Sequence, residues 1–250
     1  MKKVMLWMSA VAMGATLVGC GANSGTASNN ATTAASSSAQ QSITVAADTT
    51  FPPFETEQSG QVTGFDIELI NDIAKIENLQ IKNLQTMPFT GLIPALQAGQ
   101  VDVAVAGITI KKTRMSAVDF SNAYYKSGIS ILTKTNSGIK GLNDLKGKIV
   151  ATKKGTSSVD LLTKSGITNV KQFDTIDSAY SALESGGADA VVFDNPVNIN
   201  FKKSHSDVTI VGGLLSGEYY GIAVNKQDPG LLNKINDGLK KMQENGQYMQ

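Results

Sequence analysis

An α/β fold built as two related lobes is what the sequence predicts, and three observations predict it. Short apolar runs of strand type alternate with stretches of helical periodicity from residue 43 onward, the pattern of a mostly parallel sheet. A helix end, a glycine turn and a buried strand occur twice in the same phrasing: Ala95-Leu96, Gly99, Asp102 and Val105, then Ala182-Leu183, Gly186, Asp189 and Val192. A strand that runs into a polar loop also recurs, from Ile43 into Asp48 and from Lys148 through Thr152 into Lys153 and Gly155. Chance likeness between two helix-turn-strand units is the competing explanation of the repeat.

The composition narrows the function classes. The chain has 250 residues, 41% of them hydrophobic and 17% charged, which leaves room for one large or two small domains with a real core. A formal net charge of +1 carries no nucleic-acid footprint. One cysteine and one histidine exclude a disulfide scaffold, a Cys/His zinc site and nearly any His-relayed nucleophile, so neither a cofactor nor a metal is expected.

The elements follow in order. Lys2 and Lys3 lead into an apolar run over residues 4–18 that is short for a membrane span and ends on small residues, so residues 1–19 read as an export signal. Leu17-Val18-Gly19-Cys20 resembles the lipobox of bacterial lipoproteins, which implies cleavage before Cys20 and lipidation of its sulfur. A plain signal peptide with an accidental cysteine and a short uncleaved anchor are the other readings. Residues 21–42 hold no charge, no aromatic and no aliphatic larger than alanine, so residues 20–42 are expected to be a lipidated cysteine and a flexible tether.

The folded body starts with a strand at residues 43–47. After Gly64 the spacing predicts a helix with Asp66 as N-cap and Leu69, Ile70, Ile73 and Ile76 on one face. Thr90 is read as the N-cap of a helix carrying Leu92, Ile93 and Leu96, which stops at Gly99 before a strand with Val101, Val103 and Val105. Gly155, Thr156 and Ser157 open a helix with Val159, Leu161 and Leu162, residues 190–193 form a strand ending on Asp194, and an amphipathic helix follows Pro229.

In open α/β sheets ligands bind beyond the carboxyl ends of strands, which directs attention to residues 48–54, 107–114 and 153–157 and to Asp194. Arg114 is the only arginine among 22 lysines and arginines, which suggests a need for the planar fork that grips a carboxylate; a solvated surface arginine is the plain alternative. Gly107 permits close backbone approach and Thr109 offers a hydroxyl. The free amides at Thr156 and Ser157 suit an anion, with simple capping by Ser157 as the alternative. Asp194 could accept hydrogen bonds from an ammonium or cap a turn. Phe51, Phe54 and Phe89 fit aromatic pocket walls as well as packing at a sheet edge. A carboxylate grip, an ammonium acceptor and aromatic walls together describe an α-amino acid site.

These residues carry a resemblance. Asp48-Thr-Thr-Phe51-Pro-Pro-Phe54, Gly64-Phe65-Asp66, Phe89-Thr-Gly-Leu-Ile-Pro-Ala-Leu96, Ala106-Gly-Ile-Thr109, Arg114, Asp119-Phe120-Ser121 and Tyr124-Tyr125 resemble the extracytoplasmic solute-binding proteins of polar amino acid ABC importers, most of all the glutamine-binding type. The resemblance implies a type II periplasmic-binding-protein fold: lobe 1 from 43–125 plus 221–250, lobe 2 from 126–220, and crossing strands near 124–128 and 216–220. It implies that Arg114 pairs with the ligand carboxylate, helped by Thr109 and the Thr156 backbone. Asp194 and the Gly107 carbonyl, next to Ala106, would take the ammonium, and Phe51 and Phe89 would wall the site. Asp48 and Lys153 would set side-chain selectivity, with glutamine favoured; the counter-reading is that these two pair with each other across the closed cleft and leave selectivity to Phe193 and Ser157. Three features depart from the glutamine-binding pattern: Phe193 stands for histidine, Ser157 for glycine, and the sequence ends at Gln250 without the usual aromatic-rich tail. The implied protein is no enzyme. It is a monomer, lipid-anchored on the extracytoplasmic face of a Gram-positive membrane, that takes a polar L-amino acid and hands it to an ABC permease. An amino-acid sensor component and a dehydratase-like enzyme on the same fold are the alternatives.

Overall fold

The structure, a computed structural model, describes residues 40–249. The export signal, Cys20 and nearly all of the expected tether lie outside the described residues. Among the described residues no helix is long and apolar enough to cross a membrane.

The chain begins with β1 (Gln41–Ala47), then a small meander of β2 (Thr50–Phe51), β3 (Glu55–Gln58) and β4 (Gln61–Thr63). Next come α1 (Phe65–Ile76), β5 (Leu79–Thr86), α2 (Phe89–Gln97), β6 (Val103–Ala104), α3 (Lys112–Met115) and β7 (Asp119–Phe120). The long β8 (Tyr125–Lys134) leads to β9 (Val150–Lys153), α4 (Ser157–Lys164), β10 (Val170–Phe173), α5 (Ile176–Glu184), β11 (Ala190–Asp194) and α6 (Asn195–Lys202). The chain returns through β12 (Val208–Tyr220), β13 (Ala223–Val224) and α7 (Pro229–Glu244).

Two five-stranded sheets result, in the orders β5-β1-β6-β13-β7 and β10-β9-β11-β8-β12. Each has a parallel trio followed by an antiparallel strand, and the units β1-α1-β5-α2-β6 and β9-α4-β10-α5-β11 correspond element by element. The repeated phrase therefore marks a structural repeat, and its aspartates do the same work in both copies. Asp102 Oδ2 accepts the Thr44 amide at 2.7 Å, and Asp189 Oδ2 accepts the Ile149 amide at 2.7 Å, each fastening a third strand to the start of the first. Gly99 and Gly186 precede them with φ of 66° and 77°, a left-handed turn that glycine enters at no steric cost.

Where the two sheets join, β8 and β12 run antiparallel, with Tyr125 opposite Tyr220 and Gly128 opposite Gly217. After this crossing the chain rejoins the first sheet as β13, and α7 lays Leu231, Ile235, Leu239 and Met242 into the first core. Gly238 allows α7 to approach α1, since a Cβ there would sit 2.9 Å from Ile73 Cγ2.

Four local expectations need correction. Gly64, not Asp66, caps α1; Asp66 lies in the first turn and is fully buried, because donors from Gly107 and Tyr124 claim its carboxylate. Pro88 rather than Thr90 precedes α2, and its carbonyl accepts the Gly91 amide at 2.8 Å. The strand expected over Val101 to Val105 reduces to β6, and Gln41 and Ser42, assigned to the tether, already pair with Leu79 and Gln80 in the sheet.

Candidate functional site

The strand ends of both sheets converge on one nearly closed cavity of about 10 Å³, roughly the room of a single water molecule. Its first-lobe walls are Phe51 from β2, Phe89 at the start of α2, Ala106, Gly107, Thr109 and Arg114 of α3. Its second-lobe walls are Lys153 at the end of β9, Thr156 and Ser157 at the start of α4, and Phe193 and Asp194 at the end of β11. Of the residues expected at the site, Asp48 and Phe54 stand back from this lining.

Arg114 is 7% exposed. Its guanidinium donates from Nη1 to the Thr109 carbonyl and from Nη2 to the Gly155 carbonyl, both at 3.0 Å, and it lies 5.1 Å over the Phe89 ring. The second bond reaches from one lobe to the other. Burial lowers the Arg114 pKa, and the carboxylates of Glu218 and Asp194 oppose that shift. The surface reading of this arginine is thereby excluded, and its planar fork is held in place by two backbone acceptors and an aromatic face.

Thr156 precedes α4 and turns its hydroxyl back to the Lys153 carbonyl at 2.8 Å, so no side chain caps the first amides of the helix. Those donors and the partial positive charge of the helix start face the same cavity as Arg114. Opposite in sign is Asp194. Its carboxylate accepts from the Tyr220 hydroxyl, which in turn accepts from Ser127 Oγ at 2.8 Å. Burial pushes Asp194 up to about 7, helped by the nearby Glu218 charge and resisted by the Tyr220 hydrogen bond and Arg114.

Lys153 and Asp48 meet across the cleft. Lys153 Nζ lies 2.7 Å from Asp48 Oδ2 and donates to Thr50 Oγ1 at 2.7 Å, while Asp48 Oδ1 accepts the Thr50 amide at 2.9 Å. Both side chains are almost completely buried, so the pair closes one flank of the cavity. An exposed pair, Lys111 with Asp160 at 2.6 Å, spans the lobes on the other flank, beside an outer groove that shares Thr109 and Ser157 with the cavity.

The floor is built from below. Gly107 adopts φ of 50°, and a Cβ there would come 2.2 Å from the Phe51 ring, so only glycine permits the contact. Its amide donates to Asp66 Oδ2 at 2.8 Å, and the Tyr124 hydroxyl donates to the same oxygen at 2.6 Å.

Sequence reasoning missed Glu218 and Tyr220 of β12. Glu218 accepts the Thr109 hydroxyl at 2.7 Å, and burial raises its pKa. A signal existed: both residues fall in the segment read as the second crossing strand, two positions apart and so on the same face. Phe54, by contrast, packs against Phe51, Phe65, Tyr125 and Tyr220 beneath the cavity without lining it.

Residues 43–250 match the family of bacterial extracellular solute-binding proteins, family 3. The chain is 36% identical over 208 residues to an ABC transporter glutamine-binding protein of Bacillus subtilis (strain 168), covering 82% of this chain and 76% of that protein. It is 30% identical over 254 residues to an arginine-binding extracellular protein of the same organism, covering 99% and 95%. Among solved structures, an ancestral arginine-binding protein bound to glutamine is 42% identical with a TM-score of 0.78, covering 83% of this chain and 94% of that one.

Proposed function

The chain belongs to family 3 of the bacterial extracellular solute-binding proteins, and from that premise we propose that it captures a polar L-amino acid between its lobes and delivers it to an ABC transporter permease. The carrying observation is the opposed pair Arg114 and Asp194 in one closed cavity. A guanidinium fork with uncapped helix amides suits an α-carboxylate, and a buried carboxylate suits an α-ammonium. A zwitterion supplies the cation that Asp194 lacks, and its carboxylate offers Arg114 an acceptor in place of bulk water. Phe51, Phe89 and Phe193 enclose the space between them.

Relatives named for binding glutamine, arginine and histidine support an amino acid of polar side chain. Glutamine is favoured, because the Lys153–Asp48 pair on one flank of the cavity carries no net charge and so suits an uncharged polar side chain better than a cationic or an anionic one. The protein acts by binding and release, outside the cytoplasmic membrane, held there by a lipid on Cys20 and the uncharged segment that follows. It works as a monomer, with residues 43–125 plus 221–250 and residues 126–220 as the two closing bodies.

The test is calorimetric titration with glutamine, asparagine, glutamate, arginine, histidine and cystine, with recovery of the ligand afterwards. Tightest binding of glutamine, recovered unchanged, is the expected result. A chemically altered ligand would point to an enzyme, and absence of any binding would overturn the reading.

A further inference from the structure

Beneath the cavity lies a second group of ionisable side chains, joined to the lining by a hydrogen bond from the Gly107 amide. Glu55 of β3 and Asp66 of α1 are both 0% exposed. Asp66 Oδ2 is taken by the Gly107 amide and the Tyr124 hydroxyl. Asp66 Oδ1 and both oxygens of Glu55 are shut off from solvent and meet no protein donor among the described residues. What they meet is each other's carboxyl group. Two carboxylates facing one another without a donor between them cannot persist in a buried site, whereas a carboxylic acid donating to a carboxylate satisfies both.

We propose that Glu55 and Asp66 hold one proton in common, and that this pair is a positioning device that fixes the Ala106–Gly107 peptide forming the floor of the binding cavity. In a trans peptide the N–H of Gly107 and the carbonyl of Ala106 point in opposite directions. With the amide anchored downward on Asp66, the carbonyl turns toward the cavity that Ala106 and Gly107 line. An oxygen held there, next to the Gly107 carbonyl that the resemblance implies, accepts from a ligand ammonium without reorganising. The proposal rests on the amino-acid reading above only for the identity of the ligand group.

The charges around the pair give its pH dependence a sign. Glu55 is faced by Asp66, by Asp48 at the end of β1 and by Lys153 at the end of β9; Asp66 is faced by Glu55, Tyr124 and the Gly107 amide, and its charge is felt by Tyr248. Burial raises Glu55 well above its ordinary 4.5, the neighbouring carboxylates Asp66 and Asp48 push it further, and Lys153 opposes them. The folded protein therefore keeps a proton that the unfolded chain loses. The stabilisation is complete below the ordinary carboxyl value and is lost as pH rises through the folded one.

The experiment uses the full chain, wild type and with Glu55→Gln or Glu55→Ala, titrated with L-glutamine and L-arginine at several pH values. Urea unfolding of the ligand-free proteins and infrared spectra of the acid carbonyl stretch are measured in parallel. Glu55→Gln places a permanent N–H donor against Asp66. It should keep the affinity, flatten the fall of the unfolding midpoint at high pH and remove one protonated-acid band. Glu55→Ala should lower affinity about tenfold or more, the usual consequence of leaving a buried acceptor unpaired. If the alanine variant does not fold, the glutamine variant and the infrared difference decide alone. Parallel pH profiles for wild type and Glu55→Gln, with no acid band lost, overturn the proposal. If neither amino acid binds the wild type, the ligand reading fails, while unfolding and infrared still decide whether the proton is shared.

Discussion

Lys153 of the second lobe and Asp48 of the first form an ion pair 2.7 Å long, with side chains only 2% and 4% exposed. The pair is bracketed by Thr50, which gives Asp48 its amide and hydroxyl and takes a hydrogen bond from Lys153. A contact of this kind exists only while the two lobes face each other, so it reports closure directly. It also explains why Asp48 is screened from the cavity while Lys153 lines it.

Breaking this pair one side at a time leaves a buried charge unpaired, at a cost of roughly 3 to 5 kcal/mol. Asp48→Asn and Lys153→Met should each weaken ligand binding strongly, and the double variant should recover much of the loss. A double-mutant cycle on dissociation constants measures the coupling. Additive losses would show that the two residues act separately on the ligand.

Arg114→Lys keeps the charge and loses the fork that reaches the Thr109 and Gly155 carbonyls at once. Both it and Arg114→Ala should fold, by circular dichroism. The alanine variant should bind on the order of a hundredfold to several-thousandfold more weakly, from the same energy range. An unchanged dissociation constant for a folded Arg114→Ala would falsify the carboxylate role.

Gly155 closes against Thr90 of the opposite lobe: a Cβ added to it would lie 2.8 Å from Thr90 Cγ2, at a backbone φ of 73°. Gly155→Ala should prop the cleft and cost about 1 to 3 kcal/mol of closure, or roughly five- to 150-fold in affinity. Trimming the opposing methyl with Thr90→Ser should restore part of that affinity. If the serine change restores nothing, the clash is not the cause.

Burial, helped by the nearby Glu218 charge, raises the Asp194 carboxyl from its ordinary 3.8 to about 7. Between those values the closed form holds a proton that an open, solvated Asp194 does not, so rising pH favours opening of the ligand-free protein. Small-angle scattering from about pH 5 to 8 should show a growing radius in the wild type. Asp194→Asn should reduce that pH response and lose affinity through loss of the ammonium acceptor. A response of equal size in both proteins would assign it to other carboxyl groups, Glu218 first.

Cys20→Ala should leave the precursor unprocessed or release the protein from the membrane fraction, because one small-residue motif carries the only cysteine of the chain. Processing and membrane retention without Cys20 would remove the lipid anchor from the account.

The alternation of strands and helices, the duplicated phrase and the strand ends that line the cavity are all legible from residue order, because each depends on patterns a few residues long. Periodicity sets which face of α1 or α7 is apolar, and the left-handed turns at Gly99 and Gly186 are local demands. The lone arginine stands out by composition alone. Asp66 shows the limit of such reasoning. Its position after Gly64 looks like a helix cap, yet its partners are Tyr124 and Gly107, far along the chain. Glu55 likewise reads as a polar meander residue and is wholly buried.

What residue order determined by itself is the pair of α/β repeats and the set of strand-end residues that could grip an amino acid. Only the tertiary structure decided which partner each buried ionisable group meets: Asp48 with Lys153, Asp194 with the Tyr220 hydroxyl, Glu218 with the Thr109 hydroxyl, and Glu55 with Asp66. The reason is that helix and strand preferences are short-range and add along the chain, whereas a buried charge takes its state from whichever groups exclude water around it.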